Sequence, residues 1–136
     1  MSATPSLSPT DIVIFGGNGD LALRKILPGL YYRYRDGQLP ENSRIIGIGR
    51  AVTTDTQYVE MVEKACVQHV APADFELAAW KRFAKRIHYA AIDAEDRKAY
   101  AKLTAFFKKQ APLVRVFYLA TPADVFGAIC HYIIAI

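Results

Sequence analysis

Cysteine is nearly absent from this chain. Cys66 and Cys130 are the only two in 136 residues. They sit in unrelated segments, with neither a metal-ligand spacing nor a disulfide framework, which fits a reducing compartment and so the cytoplasm. His69, His88 and His131 form no pattern with them, so no metal is expected. Long apolar runs are missing too. No stretch reaches the roughly 18 residues of a membrane span, and none is expected. Met1 to Thr10 lacks both a basic start and an apolar signal core. It is rich in Ser, Thr and Pro and reads as a loose tail over residues 1–10, not a targeting peptide. Charge of one sign is scarce: 17 basic against 13 acidic residues leave +4. Most of the basic residues are scattered along predicted helices, where they form solvated faces. No nucleic-acid partner is expected, while an anionic small molecule suits the balance.

What is there is a foldable core. Hydrophobic residues make up 52% and charged residues 22%, which excludes bulk disorder. The length supports one domain, but not a complete two-half nucleotide fold with a substrate domain attached. The chain is organised around Ile12 to Lys25, I-V-I-F-G-G-N-G-D-L-A-L-R-K. A short apolar run ends in glycine and reads as a buried strand. Gly16, Gly17 and Gly19 then reverse the chain, and a helical pattern follows. Strand, glycine turn and helix together open a dinucleotide fold. Gly16 permits the tight turn, Gly19 has no side chain to hold a pyrophosphate off the backbone, and the helix start offers free N–H groups. The spacing is Gly-x-x-Gly-x-x-Ala, which a simple turn also satisfies. Asp20 is unusual beside a diphosphate. It either caps backbone donors or must point away.

The remaining pattern alternates strand and helix. Strands are predicted at Asp11 to Phe15, Ser43 to Ile48, Ile87 to Ile92 and Val114 to Ala120. The first helix carries Leu23, Ile26, Leu27, Leu30, Tyr31 and Tyr34 on one face. Pro28 interrupts it, predicting a kink or a second helix that starts near the proline. Asp36-Gly37 stops it. Thr53, Thr54 or Asp55 caps the next helix. Further helical stretches are predicted over Asp74 to Lys85, with Trp80 as a packing residue, Glu95 to Gln110, ended by Pro112, and Ala123 to Ile134. The fold class is therefore α/β: a Rossmann-type parallel sheet with flanking helices, incomplete, over residues 11–136.

The second strand ends Gly47-Ile48-Gly49-Arg50, with no acid between Ile45 and Val52. In NAD-binding folds an acidic residue near here accepts the ribose hydroxyls. Arg50 instead offers a planar fork of donors to a 2'-phosphate, which favours NADP. A solvated arginine is the plainer alternative. Lys25, six positions past Gly19, is placed to reach a phosphate or a substrate oxygen, or is a surface lysine. Ala120-Thr121-Pro122 follows the fourth strand at the carboxyl edge, where Tyr118 and Thr121 are placed to touch cofactor, though Tyr118 equally suits the core. No general base is assigned among the three histidines. A short-chain epimerase would need a Tyr-x-x-x-Lys pair, and Tyr31 and Tyr118 have Arg35 and Pro122 at that spacing.

The run Phe15 to Arg50, with G-x-x-G-D-L-x-x-x-K, a proline three residues on, the D-G-x-L-P loop and the strand-end arginine, resembles the glucose-6-phosphate dehydrogenase family. Y-L-A-T-P at Tyr118 to Pro122, followed by V-F-G-A-I-C, resembles the same family's next element. The resemblance implies that Gly16, Gly17, Asn18, Gly19, Asp20 and Leu21 hold NADP, that Arg50 recognises its 2'-phosphate, and that Tyr118, Thr121 and Pro122 line the nicotinamide side. It implies that Lys25 serves the substrate region. It also implies hydride transfer from C1 of glucose 6-phosphate to NADP, giving 6-phosphogluconolactone in the pentose phosphate pathway, by homo-oligomeric full-length enzymes. Ala123 departs from a second proline found in many relatives. The family's E-K-P-x-G and R-I-D-H-Y-L-G-K segments, its catalytic histidine and its substrate domain do not occur within the 136 residues. An N-terminal, cofactor-binding fragment is therefore expected, inactive alone and prone to self-association. A non-catalytic NADP-binding module is the alternative.

Overall fold

The computed structural model describes residues 9–109 and 114–136. Four strands, β1 (Thr10–Phe15), β2 (Arg44–Gly49), β3 (Ile87–Ala91) and β4 (Val114–Leu119), form one sheet in the order β3-β2-β1-β4. All three pairings are parallel, with Val13 opposite Ile46 on one side and Phe117 on the other. The Rossmann-type α/β architecture is thus present as expected. Strand β1 begins at Thr10, inside the stretch expected to be tail. Residues 1–8 of that tail lie outside the described residues, as does Pro112.

Period-two alternation sends each strand's side chains to two cores. Ile12, Ile14, Ile45, Ile87 and Tyr89 face the helices α1 (Leu27–Arg35), α2 (Asp55–His69) and α3 (Leu77–Ala84). Val13, Phe15, Ile46, Ile48 and Ala90 face α4 (Ala101–Lys109) and α5 (Phe126–Ala135). Trp80 is buried between Phe75 and Phe83 as a packing residue. On β4, Phe117 and Leu119 pack into the second core, while Val114, Val116 and Tyr118 remain roughly 40% exposed on the other face.

Helix starts and stops have local causes. Pro28 is the second residue of α1, but the chain is helical without a break from Asp20, so the proline removes an N–H that the preceding turn would otherwise bond. The preceding turn, Ala22–Ile26, widens into a π-turn that closes with Leu27 N–H donating to Ala22 O. That wider ring avoids the clash between a proline ring and the previous turn. Thr54 caps α2 in a reciprocal box with Gln57. Three expected helices start later than their apolar patterns suggest. The segment from Asp74 is interrupted because the Tyr31 hydroxyl donates to Asp74 O and accepts from Glu76 N–H, replacing helical bonds there. The segment from Glu95 begins with turns that Asp93 and Asp96 cap, then a 3-10 turn at Arg97–Tyr100. The last starts as a 3-10 turn at Ala123–Val125, directly after Pro122.

Candidate functional site

All four strands run the same way, so their carboxyl ends share one edge. Strand β1 connects to β2 on one side of it, while β4 lies on the other. Loops diverge at such a reversal and leave a crevice. A crevice of about 320 Å³ opens there. Its lining follows the sheet order: Ile92 to Glu95 after β3, Gly49 at the end of β2 and Arg50 after it, Gly16 and Asn18 after β1, and Thr121, Pro122, Asp124 and Val125 after β4.

The glycine turn is built tightly. Gly16 takes φ +79°, and a Cβ on it would sit 2.7 Å from Ala120 O. Only glycine meets both demands. Gly16 and Gly17 both donate to Ile48 O, at 2.8 and 2.9 Å, and Gly19 donates to Gly16 O at 2.9 Å. The Gly17 carbonyl points into the core, where it accepts the Tyr58 hydroxyl at 2.7 Å. In a planar trans peptide the next N–H points the opposite way, and no cis peptide interrupts this. The Asn18 N–H therefore faces away from the core. Among the described residues nothing accepts it.

Of the residues expected from sequence, the fold gathers Gly16, Asn18, Arg50, Thr121 and Pro122 around the crevice. Gly17 is buried beneath it and Gly19 shapes the turn. Asp20 does not cap the helix. Its side chain is 82% exposed and pairs with Arg24 at 3.1 Å, turned out to solvent. Leu21 and Lys25 are exposed on the helix start, off the crevice lining. Tyr118 also stays off it, on the open face of β4. The Thr121 hydroxyl oxygen is buried in the crevice wall without a partner among the described residues. Such a group awaits a hydrogen bond.

Sequence reasoning missed the wall after β3. Ile92, Asp93, Ala94 and Glu95 line the crevice because β3 is the outer neighbour of β2, and only the strand order reveals that. It also missed two tyrosines. Tyr58 sits under Gly17, and Tyr89 donates to Ala51 O at 2.7 Å, one residue past Arg50. Three carboxylates, Asp93, Glu95 and Asp124, share the crevice with Arg50. That of Asp93 accepts Glu95 N–H in its own loop. None of the histidines lines it: His88 pairs with Asp55 at 3.3 Å, and His69 and His131 are exposed on α2 and α5. Among the described residues no helix is long and apolar enough to cross a membrane, and no group of three or more potential metal ligands gathers.

These features agree with what the chain is similar to. The family model for "Glucose-6-phosphate dehydrogenase, NAD binding domain" matches residues 13–135. Glucose-6-phosphate 1-dehydrogenase of Mycolicibacterium smegmatis is 42% identical over 96% of this chain and 27% of its own length. The Rhizobium meliloti enzyme is 35% identical over 93% of this chain and 26% of its own. A glucose-6-phosphate dehydrogenase solved in complex with glucose 6-phosphate superposes with TM-score 0.80 and 28% identity, over 97% of this chain and 28% of that one. The Mycobacterium avium enzyme gives 0.81 and 26%. The chain thus spans about a quarter of the length of the relatives it matches. It belongs to the glucose-6-phosphate dehydrogenase family and corresponds to that family's nucleotide-binding domain.

Proposed function

We propose that this chain is the NADP-holding part of a glucose-6-phosphate 1-dehydrogenase, the enzyme that oxidises C1 of glucose 6-phosphate to the lactone. One observation carries the reading: the crevice presents an unpaired backbone donor at Asn18 and a guanidinium at Arg50 on neighbouring strand ends. A dinucleotide with a 2'-phosphate carries anions at two such places. When bound, NADP supplies the nicotinamide ring that accepts the hydride. The chain's own residues do the rest. The Asn18 amide and the start of the Asp20–Leu21 turn meet the pyrophosphate, with Gly19 leaving room for close approach. Arg50 pairs with the 2'-phosphate. The orphaned Thr121 hydroxyl, beside Pro122, takes a polar atom at the opposite end of the crevice.

Lys25, exposed beside the turn, is free to reach a sugar phosphate brought in by further protein, and Tyr118 lies on a face that such protein would cover. No histidine lines the crevice among the described residues, and the 136 residues hold the cofactor without completing a turnover alone. Both cysteines are free thiols, which supports a cytoplasmic setting. Calorimetric titration of the chain and of Arg50→Ala with NADP and NAD tests the proposal. A charge-assisted bond of about 1.5–3 kcal/mol predicts a loss of roughly ten- to a hundredfold for NADP, with NAD little changed. Equal losses for both would remove Arg50 from the 2'-phosphate.

A further inference from the structure

Gly47 and Gly49 look like part of a phosphate motif, yet Tyr58 crowds the first, and the Asn18 side chain and the Tyr89 hydroxyl crowd the second. A Cβ on Gly47 would lie 2.3 Å from the Tyr58 hydroxyl oxygen and 2.4 Å from its ring. A Cβ on Gly49 would lie 2.5 Å from the Asn18 side-chain oxygen and 2.7 Å from the Tyr89 hydroxyl oxygen. Both glycines face the same side of β2, where side chains are left out so that the Tyr58 ring, the Tyr89 hydroxyl and the Asn18 side chain can lie against bare backbone. The rings neighbour each other at 5.0 Å between centroids. Tyr58 is fully buried and Tyr89 nearly so, at 6% exposure. Two phenols side by side in a core need partners, and each has one carbonyl. Tyr58 holds Gly17 O, and Tyr89 holds Ala51 O. Those carbonyls belong to the two segments that grip the proposed cofactor.

We infer that Tyr58 and Tyr89 are positioning residues for the nucleotide, a two-tyrosine brace beneath the crevice. Tyr58 fixes the Gly17 peptide so that the Asn18 N–H faces the pyrophosphate, and Tyr89 holds the strand end that carries Arg50. The inference rests on the NADP reading above. Burial pushes both phenols above their ordinary range, so each remains an O–H donor at neutral pH. An ordinary core tyrosine would contribute packing alone, and the phenylalanine variant keeps that packing.

The test uses Tyr58→Phe and Tyr89→Phe in the 136-residue chain, titrated with NADP, NAD and adenosine 2'-monophosphate. Loss of one hydrogen bond sets the scale at about fivefold. Tyr58→Phe is expected to weaken NADP and NAD about equally and leave the monophosphate unchanged. Tyr89→Phe is expected to weaken NADP and the monophosphate and spare NAD. Uniform loss across the three ligands, or no loss, would overturn the brace. A ligand-free measurement decides the same point: amide exchange should speed up at Gly17 and Gly19 in Tyr58→Phe, and at Ile92, which donates to Gly49 O, in Tyr89→Phe. Acceleration spread over the whole domain, or none, would refute it. If the parent chain binds none of the three ligands, the NADP reading falls, while the exchange result still settles whether the brace exists.

Discussion

Asp11 is the place where one atom group governs the most structure. Its side chain is fully buried at the start of β1. Parallel register puts Arg44 of β2 beside it on one side and Arg115 of β4 on the other. Arg44 makes a two-bond fork to the carboxylate, Nε to Oδ1 at 2.8 Å and a terminal nitrogen to Oδ2 at 2.7 Å, and Arg115 Nε lies 3.4 Å from Oδ2. The same two guanidiniums reach Phe106 O and Phe107 O, tying the end of α4 to three strands. In Asp11→Ala the Arg44 side chain, only 10% exposed, keeps its charge and loses the carboxylate it forks, with a second arginine nearby. Breaking one side of a buried pair costs about 3–5 kcal/mol. With unfolding entropy near 2.1 cal/mol/K per residue, that lowers Tm by roughly 10–17 °C. Circular dichroism melts would measure it. A drop under about 3 °C would show that the arginines find water once the carboxylate is gone, and that the trio does not hold the sheet's amino edge together.

Other outcomes follow from burial. Cys66 lies on the buried face of α2 and its thiol is pushed up to about 12 by desolvation, with help from Glu63, whereas Cys130 is exposed. A thiol reagent at pH 8 should label Cys130 quickly and Cys66 only on unfolding; fast labelling of both would contradict the packing of α2. Burial likewise raises the Tyr100 hydroxyl to about 12. Groups that keep protons in the folded state after the unfolded chain has lost them weaken stability as pH rises. Tm should therefore fall from about pH 9, the ordinary cysteine value, toward 12, and a Tm that rises over that range would reverse the sign of the argument. Val114, Val116 and Tyr118 expose an apolar stripe on β4, and Ile134 is 85% exposed on α5. Such a face next to an outer strand favours association. Sedimentation should show mass rising with concentration, less so in Val116→Lys; a monomer at all concentrations would refute this.

Much of this molecule is legible in its residues. Strand–helix alternation gives the parallel sheet, and the glycine turn with Arg50 gives the crevice's centre, because each signal is local: a period, a positive φ, a strand end. What escapes is everything that depends on which strands become neighbours. Asp11 reads as the first residue of a strand until register sets an arginine on each side of it. Ile92 reads as a strand end and Asp93 to Glu95 as the opening of a helix until β3 is known to flank β2. Tyr58 and Tyr89 read as helix and strand core residues, and only the missing side chains at Gly47 and Gly49 show what they lie against. Helix boundaries slipped for a related reason. The Tyr31 hydroxyl, distant in sequence from Asp74 and Glu76, takes backbone groups that a helix would have used.

The central claim is that the crevice above β1 and β2 grips NADP by backbone at the turn and by guanidinium at the strand end. Backbone-resolved NMR during an NADP titration tests it most directly. The account predicts that the largest amide shifts fall at Asn18, Gly19 and Arg50, and that NAD reproduces the first two but not the third. Shifts concentrated elsewhere, for example on the outer face of α2 around Glu60 and Glu63, would contradict it.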